Sequence, residues 1–444
     1  MAKKQAGGMT RDQKSNFGLR GWVVIIFCAA LFFMAGGTVN DAQNTIVPTF
    51  AQLYGWSTAT MYTFCSVAAY VGMIGAVGGA ILCAKKGVKL TFIVSLSLFA
   101  ACFFVWGHIT TLGQFVAVYC IIHITQNAFA QIGMSVIIAD WFPLKKGLAM
   151  GWATMGANIG TALYVQIFTR ILAAKGLPAA FNSFGVFVVL LVLVAIFFIK
   201  NRPEDCGCFP DNNREMTPEE RDRLAAEGEA YKKTSPWTVK KLLSCKTVWL
   251  IGVAYGMIMM ITMGTVSQLV PTIMSFGFSL EFSLNMMTVA ALIGLVFSYL
   301  FGFLDAKIGT RKASLVFYLW TMLAVIFMAL PGKWTVYPAV FFMGGFLGAG
   351  NNLTMSITST VFGRYDFTKA WGVIYPITVI FRSAGYAVVG VLAERTGGYT
   401  VPYLVLLGVC IVCFILIFVM DDRMIGRNFV SEEELRSAIE SEKK

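Results

Sequence analysis

Charged side chains are scarce in this chain of 444 residues: Asp, Glu, Lys and Arg together make up 13% of it. A typical soluble domain carries about 25% charged residues. Here 57% of the residues are hydrophobic, and the mean hydropathy is +0.71. The composition therefore excludes an ordinary soluble domain and predicts an integral membrane protein.

The sequence also lacks the motifs of common catalytic and cofactor sites. It contains no Walker-type phosphate loop, no HExxH zinc motif and no Ser/His/Asp grouping in a soluble segment. Ten cysteines are scattered through the chain, and the pair Cys206 and Cys208 has no histidine at a familiar zinc spacing. We therefore expect neither ATP-driven transport by this chain alone nor enzymatic turnover, and no metal, disulfide or cofactor.

Positive charge is unevenly distributed. The formal net charge is +12, and thirty of the 35 Lys and Arg fall in the two tails and in every second connection between apolar segments. This is the pattern of the positive-inside rule, so it indicates a membrane topology rather than nucleic-acid binding. It places both termini and the central loop in the cytoplasm, as expected of a multi-pass protein of the cytoplasmic membrane. The exceptions are Arg170, Lys175, Lys333, Arg382 and Arg395.

Twelve apolar segments are long enough to cross a bilayer as helices, which takes about 20 residues. Residues 20–37 also fit a signal peptide, but eleven further apolar segments favour a first transmembrane span. The chain divides into a tail (1–20), a six-helix bundle (21–200), a cytoplasmic loop (201–246) with a capped surface helix from Thr217, a second six-helix bundle (247–420) and a tail (421–444). The predicted spans, numbered in chain order, are 21–46, 58–82, 90–107, 113–139, 147–171, 179–200, 247–275, 281–304, 312–330, 335–362, 370–392 and 400–420.

The two halves of the chain repeat. Short motifs of the first half recur in the second at a nearly constant offset of 222 or 223 residues. A duplicated six-helix unit is the plan of many secondary transporters, whose site lies near the bilayer midplane. The matching pairs are 47–49 with 270–272, 54–57 with 276–279, Lys89 with Lys312, and Lys146 with Lys369.

On these features the whole chain resembles the major facilitator superfamily. The loops after spans 2 and 8 resemble its G-x-x-x-D-R-x-G-R-K motif, although Ala84 replaces the first aspartate and Asp305 stands one place early. The resemblance implies an all-α protein with twelve transmembrane helices in two bundles, working by alternating access as a monomer. GWS after span 1, ADWFPLKKGLAMG before span 5 and a basic residue midway along span 11 resemble the oxalate/formate antiporter and monocarboxylate carrier group.

Arg382 lies near the middle of the apolar stretch 371–392. An arginine at mid-bilayer costs about 2.5–3.5 kcal/mol on insertion scales, and its guanidinium stays protonated. Such a residue faces a polar cavity or a partner rather than lipid. We interpret Arg382 as the anion-recognising centre of a transport pathway; the alternative is a structural ion pair or a strut bonded to a neighbouring helix.

Other polar side chains inside the spans are few. Two could carry a coupling proton: Asp41, unless it is a solvated charge of the outer vestibule, and His123, unless it is a hydrogen-bonded packing residue. Tyr375 could line the apolar part of a cavity or simply pack. The predicted ligands that accompany Arg382 are Asn127, Asn158, Gln268, Asn351, Asn352 and Tyr375.

The predicted function is secondary transport of a small organic anion, by exchange or by proton symport. Span 8, residues 281–304, contains no basic residue, and a single central cation suits a monocarboxylate better than a dianion. Basic loop residues such as Lys85 and Lys145 are expected to set topology and contact anionic lipid headgroups. The rival functions are a cation or drug exporter of the same fold, in which Asp41 binds the substrate or a proton, and a non-transporting membrane sensor.

Overall fold

The computed structural model describes the backbone of residues 16–41, 43–213 and 216–427, and the side chains of these residues except 40–45, 58, 59, 62, 66, 351, 386 and 387. Within these ranges, ten helices are long and apolar enough to cross a membrane. Two of them, Lys146–Phe197 and Val336–Thr396, are interrupted by the non-helical residues Gly176 and Gly363. Each therefore supplies two spans, which gives the twelve helices predicted.

The spans are bounded as follows. Span 1 is Gly18–Gly36, continued by a π-helical turn Gly37–Asp41 and the helix Gln43–Tyr54. Span 4 contains a second π-helical turn, Asn127–Gly133, between Leu112–Gln126 and Met134–Trp141. Spans 5 and 6 share Lys146–Phe197, and spans 10 and 11 share Val336–Thr396. The others are Thr58–Lys86 (span 2), Val88–Trp106 (3), Lys246–Ser267 with Leu269–Ser275 (7), Leu280–Ile308 (8), Thr310–Ala329 (9) and Thr400–Val419 (12).

The sequence repeat is visible in the helices. Spans 2 and 8 have 29 residues each and begin 222 residues apart. Each follows a serine whose hydroxyl accepts a hydrogen bond from a first-turn amide, and each ends at a glycine with φ near +87°. A positive φ favours glycine because it has no Cβ. The serines are Ser57 and Ser279, and the glycines are Gly87 and Gly309.

Several predicted boundaries are wrong. Span 1 does not end at residue 46, because the helix resumes after the π-helical turn and continues to Tyr54. Span 7 breaks at Gln268 and restarts at Leu269, which places Pro271 in a first turn, where proline is tolerated. Residues 363–369 are predicted as a loop between spans 10 and 11, but the structure is helical on both sides of the single non-helical residue Gly363.

The break at Gly363 is bridged by the end of the described chain. The carbonyl of Val361 accepts hydrogen bonds from the backbone amides of Ile425 and Gly426, and the amide of Tyr365 donates to the carbonyl of Arg427 at 3.0 Å. Buried backbone groups need such partners where a helix is interrupted. The segment after span 12 is therefore part of the junction between spans 10 and 11.

The central loop packs on both halves. Its first part holds the start of span 5, because the Asp211 carboxylate accepts hydrogen bonds from the amides of Leu144 and Lys145 at 3.0 and 2.8 Å. The predicted surface helix follows as Pro218–Thr234, capped by Thr217. The expectation that the loop cations face lipid is wrong for Lys145, whose ammonium is buried and donates to the carbonyl of Asp211.

Candidate functional site

Arg382 is half-buried on span 11, between the two halves of the protein. Its Nη2 lies 3.9 Å from the sulfur of Met263, and the guanidinium interacts electrostatically with the Tyr375 hydroxyl and the His123 imidazole. Among the described residues, no carboxylate forms an ion pair with it. Within that part of the chain, Arg382 is a cation without a protein anion, as a substrate-binding role requires.

A small cavity extends from Arg382 between the halves. Its volume is about 20 Å³, which is enough for about one water molecule. The indole nitrogen of Trp371 donates to the carbonyl of Gln131 at 2.9 Å, a bond between the halves at the cavity wall. A ligand larger than a water molecule therefore needs the halves to move apart. The lining residues are Gln131, Ser135, Met150, Met259, Thr354, Trp371, Tyr375, Thr378 and Arg382.

Span 4 contributes to the site through its π-helical turn. Asn127 is the first residue of this turn, and its side-chain oxygen accepts a hydrogen bond from the Tyr375 hydroxyl at 2.9 Å. Its amide nitrogen donates to the carbonyl of His123 at 3.0 Å. π-Helical turns are rare in proteins, and those that occur often lie at functional sites. The extra residue in the turn rotates the side chains that follow it. Asn127 thus links span 4 to the Arg382 face of span 11.

His123 lies one helical turn before Asn127 and is buried. Its ring packs edge-on against Tyr119, with ring centroids 4.8 Å apart. No hydrogen-bond partner of the Nε2 atom is found among the described residues. His123 is therefore near enough to Arg382 for their charges to interact, but it is not among the residues that line the cavity.

The remaining predicted ligands do not line this cavity. Asn158 donates to the Ser298 hydroxyl at 3.1 Å, and Asn352 donates to the Ser298 carbonyl at 3.2 Å, so both lie where spans 5, 8 and 10 pack together. Gln268 accepts from the Tyr399 hydroxyl at 3.3 Å, within the second half. In this conformation, Asn158, Asn352 and Gln268 do not line a common cavity with Arg382. The side chains of Asp41 and Asn351 lie outside the described residues.

Four lining residues with polar side chains were not predicted as ligands: Gln131, Ser135, Thr354 and Thr378. The signal for some of them is in the sequence. Residues 371, 375, 378 and 382 follow one face of a helix, and Gln131 and Ser135 are four residues apart on span 4. Helix periodicity measured from Arg382 would therefore have found Thr378, whereas Thr354 gives no such signal.

The side of the protein that carries the basic loops is closed by ion pairs. Arg364, just after the break at Gly363, is fully buried and forms two hydrogen bonds with the Glu204 carboxylate at 2.6 and 2.9 Å. It also lies 3.8 Å from Asp140 of span 4. Burial would raise the pKa of Glu204, but the charge and hydrogen bonds of Arg364 hold that pKa below its ordinary value.

Twelve spans in two repeated halves, with a polar cavity between them, define the class of secondary transporters. A family model described as Major Facilitator Superfamily matches residues 25–330 and 280–442. The chain belongs to this superfamily and is therefore a multi-pass membrane protein of a transporter family.

Curated relatives are distant. Monocarboxylate transporter 12 of Homo sapiens is 24% identical over 299 residues, which cover 60% of this chain and 55% of the relative. The oxalate:formate antiporter of Oxalobacter formigenes is 23% identical over 184 residues, 40% of this chain and 42% of the relative. The chain thus spans about half the length of the curated relatives it matches.

Solved structures resemble the chain over most of its length. The proton:xylose symporter XylE superposes with a TM-score of 0.76 at 14% identity, covering 94% of this chain and 98% of XylE. The human organic anion transporter MFSD10 superposes with a TM-score of 0.63 at 16% identity, covering 89% and 98%. FucP in the outward conformation gives 0.68 at 16% identity, covering 89% and 97%. At such identities the likeness shows the fold alone.

Proposed function

We propose that the protein is a secondary active transporter of a small organic anion, and that Arg382 binds the substrate carboxylate. The observation that carries the proposal is a guanidinium between the two halves, at a polar cavity, with no ion-paired carboxylate among the described residues. The similarity to a monocarboxylate transporter and to an oxalate:formate antiporter supports the same substrate class. A single central cation favours a monocarboxylate.

Charge compensation is the proposed mechanism. Arginine stays protonated in proteins, so an empty carrier must keep a fixed positive charge between its halves. A carboxylate can accept two parallel N–H bonds from a guanidinium, and such charge-assisted bonds are about twice as strong as neutral ones. Bound substrate would therefore lower the electrostatic cost of the occluded state and allow the halves to rock about the site.

Access from the basic side requires the ion pairs of Arg364 to separate. Arg364 belongs to the second half, whereas its partners Asp140 and Glu204 belong to the first half and to the central loop that follows it. Because both contacts cross between the halves, opening on this side must break them. Rebinding of Arg364 would close the path again after release of the substrate.

Two coupling modes follow from the same site. If the uncompensated charge of Arg382 keeps the empty carrier from reorienting, transport is obligatory anion exchange. If His123 or Asp41 takes up a proton with the substrate, transport is proton symport. We propose residence in the cytoplasmic membrane as a monomer, with both termini cytoplasmic, as the distribution of Lys and Arg predicts.

The test is counterflow uptake in proteoliposomes with a panel of mono- and dicarboxylates. Arg382→Gln is compared with wild type and with Arg395→Gln, which removes an exposed arginine from the outer end of the same helix. We expect exchange of one anion class by wild type and by Arg395→Gln, and its loss in Arg382→Gln. Equal anion exchange in all three proteins would make Arg382 structural. Exchange of cations, but of no anion, would instead support an exporter that uses Asp41.

A further inference from the structure

Cys206 and Cys208 form a pair of thiols in the first part of the central loop. Their sulfur atoms are 3.6 Å apart, and the sulfur of Cys206 also lies 3.2 Å from the carbonyl oxygen of Pro203. Both cysteines are free and half-buried, so both are reachable from solution. The spacing in the sequence alone predicts no disulfide here, but the structure brings the two sulfurs into contact.

The backbone of the loop holds the two thiols together. Glu204–Cys206 form a single 3₁₀-helical turn, and the amides of Cys206 and Cys208 both donate to the carbonyl of Pro203, at 3.1 and 3.0 Å. Gly207, between the cysteines, is exposed and has a φ of +73°. This conformation favours glycine because it has no Cβ. The residue between the thiols is therefore the one whose backbone adapts most easily when the sulfurs move.

The two thiols have different electrostatic surroundings. Burial and the contact with Cys208 raise the pKa of Cys206 above its ordinary value, so this thiol keeps its proton at neutral pH. Cys208 interacts electrostatically with the guanidinium of Arg221, which also pairs with the exposed carboxylate of Asp222. The thiolate is the reactive form of cysteine, and a nearby cation attracts it. Cys208 is therefore suited to attack first, and Cys206 to react second.

The turn that carries the thiols also carries Glu204, whose carboxylate binds the buried Arg364 at 2.6 Å. The sulfurs of a disulfide are about 2.05 Å apart, so bond formation must draw Cys206 and Cys208 together from 3.6 Å and displace the turn. It also removes the thiol proton that Cys206 holds near the carbonyl of Pro203. Because Glu204 is only two residues before Cys206, we expect this displacement to weaken the contact with Arg364.

We infer that Cys206 and Cys208 are a redox-sensitive modification site, at which a low-molecular-weight disulfide such as oxidised glutathione converts the two thiols into a reversible disulfide and thereby weakens the Glu204–Arg364 contact. The loop lies on the side that we propose to be cytoplasmic, where protein disulfides are usually transient and catalytic or redox-sensing. Exposed or strained disulfides are the labile ones. The inference does not depend on which substrate the protein carries.

The reaction is an exchange in two steps. The Cys208 thiolate attacks one sulfur of oxidised glutathione, the sulfur–sulfur bond of that molecule breaks, and one glutathione thiolate leaves. The Cys206 thiol then gives its proton to solvent and attacks the sulfur of Cys208, which releases the second glutathione thiolate. The protons lost by the two cysteines balance those taken up by the two glutathione thiolates. The two electrons lost by the protein reduce one molecule of oxidised glutathione to two thiols.

The first measurement is the mass of the peptide that contains both cysteines. The full-length protein in detergent is equilibrated with glutathione buffers of increasing oxidised share, and the remaining thiols are alkylated. In wild type we expect the doubly alkylated peptide to be replaced by one that lacks two hydrogen atoms, and reduced glutathione should reverse the change. Cys245→Ser is the matched control and should behave as wild type, because Cys245 is another free, half-buried thiol of the same loop.

Single variants test the order of the two steps. Cys206→Ser should retain one glutathione on Cys208, because the second thiol that would release it is missing. Cys208→Ser should remain without glutathione, because the attacking thiol is missing. Glutathione retained by Cys208→Ser and not by Cys206→Ser would overturn the assigned order.

The second measurement is the melting temperature of the reduced and oxidised forms. Oxidised wild type should melt at a lower temperature than reduced wild type, because its Glu204–Arg364 contact is weakened. The difference should be smaller in Glu204→Gln, which lacks the charged partner of Arg364, and absent in Cys208→Ser.

Thiols that stay reduced throughout the glutathione series would overturn the inference. A disulfide that forms without changing the melting temperature would also overturn it, and so would equal changes in wild type and Glu204→Gln. Neither measurement uses a transported substrate, so each of these results would leave the proposed function untouched. Loss of the proposed function would, in turn, leave the thiol site as it is.

Discussion

Spans 5 and 8 meet through a buried carboxylate, whereas their counterparts in the repeat, spans 11 and 2, meet through apolar groups. In the first interface, the 5–8 seam, Asp305 accepts a hydrogen bond from Ser356 at 2.5 Å and lies directly against Gly147. In the second, the 2–11 seam, Gly372 packs against the methyl group of Ala80. Cys83 stands 222 residues before Asp305, in place of the carboxylate.

The two interfaces are related by the repeat but are held together by different kinds of interaction. The 5–8 seam contains its own polar contacts, including a 3.1 Å hydrogen bond from Asn158 to Ser298. The 2–11 seam has Cys83 in place of Asp305. The polar contacts at the start of span 11 come from Arg364, which binds Glu204 outside the spans and lies 3.8 Å from Asp140 of span 4. The two seams should therefore respond differently to mutation and to pH.

The largest effect is expected from Arg364→Gln. The change leaves the buried carboxylates of Glu204 and Asp140 without their cation, and breaking a buried ion pair in this way costs about 3–5 kcal/mol. We expect a melting temperature in detergent several degrees below that of wild type. Arg423→Gln is the control, because its side chain is 88% exposed and a surface pair contributes about 1 kcal/mol or less. Equal melting temperatures of the two variants would show that the buried ion pairs of Arg364 do not stabilise the protein.

A change in pH should act with opposite signs on the Asp211 contact at the start of span 5 and on the Glu204 contact of Arg364. Burial raises the pKa of Asp211, which holds the start of span 5, from 3.8 to about 6. The folded protein then binds this proton more readily than the unfolded chain, so the contribution of Asp211 to stability rises as the pH falls from about 6 to about 4. For Glu204 the pKa is lowered, so its contribution is present above about pH 4.5 and is lost on further acidification.

Asp211→Asn tests the first of these effects. A pKa difference of about two units corresponds to about 3 kcal/mol in the free energy of unfolding. The variant should therefore lack the increase in stability that wild type shows as the pH falls from 6 to 4. The measurement is the melting temperature of wild type and variant at several pH values in this window. Glu204→Gln is the comparison, since it should change the profile in the opposite sense. Parallel profiles of wild type and Asp211→Asn would contradict the expected linkage.

The smallest effect is expected from Gly147→Ala, which tests the packing of the 5–8 seam. A Cβ at this position would lie 1.9 Å from the Asp305 carboxylate, and overpacking of this kind costs about 1–3 kcal/mol. Gly78→Ala is the matched control in span 2, because a Cβ there meets no atom within 4 Å. We expect reduced thermal stability and slower counterflow for Gly147→Ala only. If both variants match wild type, the two halves are not in close contact at Gly147.

Features that depend on the bilayer could be predicted from the sequence. A span needs a long apolar run, and an arginine within one needs a polar environment, so the twelve helices and the special position of Arg382 follow from hydropathy. The constant offset of the repeat reappears in the matching caps of spans 2 and 8. Asn127 and Tyr375 are hydrogen-bonded to each other and Tyr375 interacts with Arg382, while their role as ligands stays a prediction.

Contacts between distant segments could not be predicted in the same way. The π-helical turn at 127–133 alters the rotation of span 4, so a constant helical period does not give the side chains that face the cavity. Arg364 and Glu204 are 160 residues apart in the chain, and loop cations are normally interpreted as markers of topology. Asn158 and Asn352 are predicted as ligands because they are polar residues within spans, and polarity alone does not distinguish a cavity wall from a packed interface.

The small volume of the Arg382 cavity has a consequence for the passage of protons through the protein. A space that holds about one water molecule cannot contain a continuous file of water, along which protons would pass between the two sides. An arginine within the path adds a barrier to hydronium and metal cations, as positive charges do in selective pores. In this conformation the Arg382 cavity therefore offers protons no continuous file of water between the two sides of the protein.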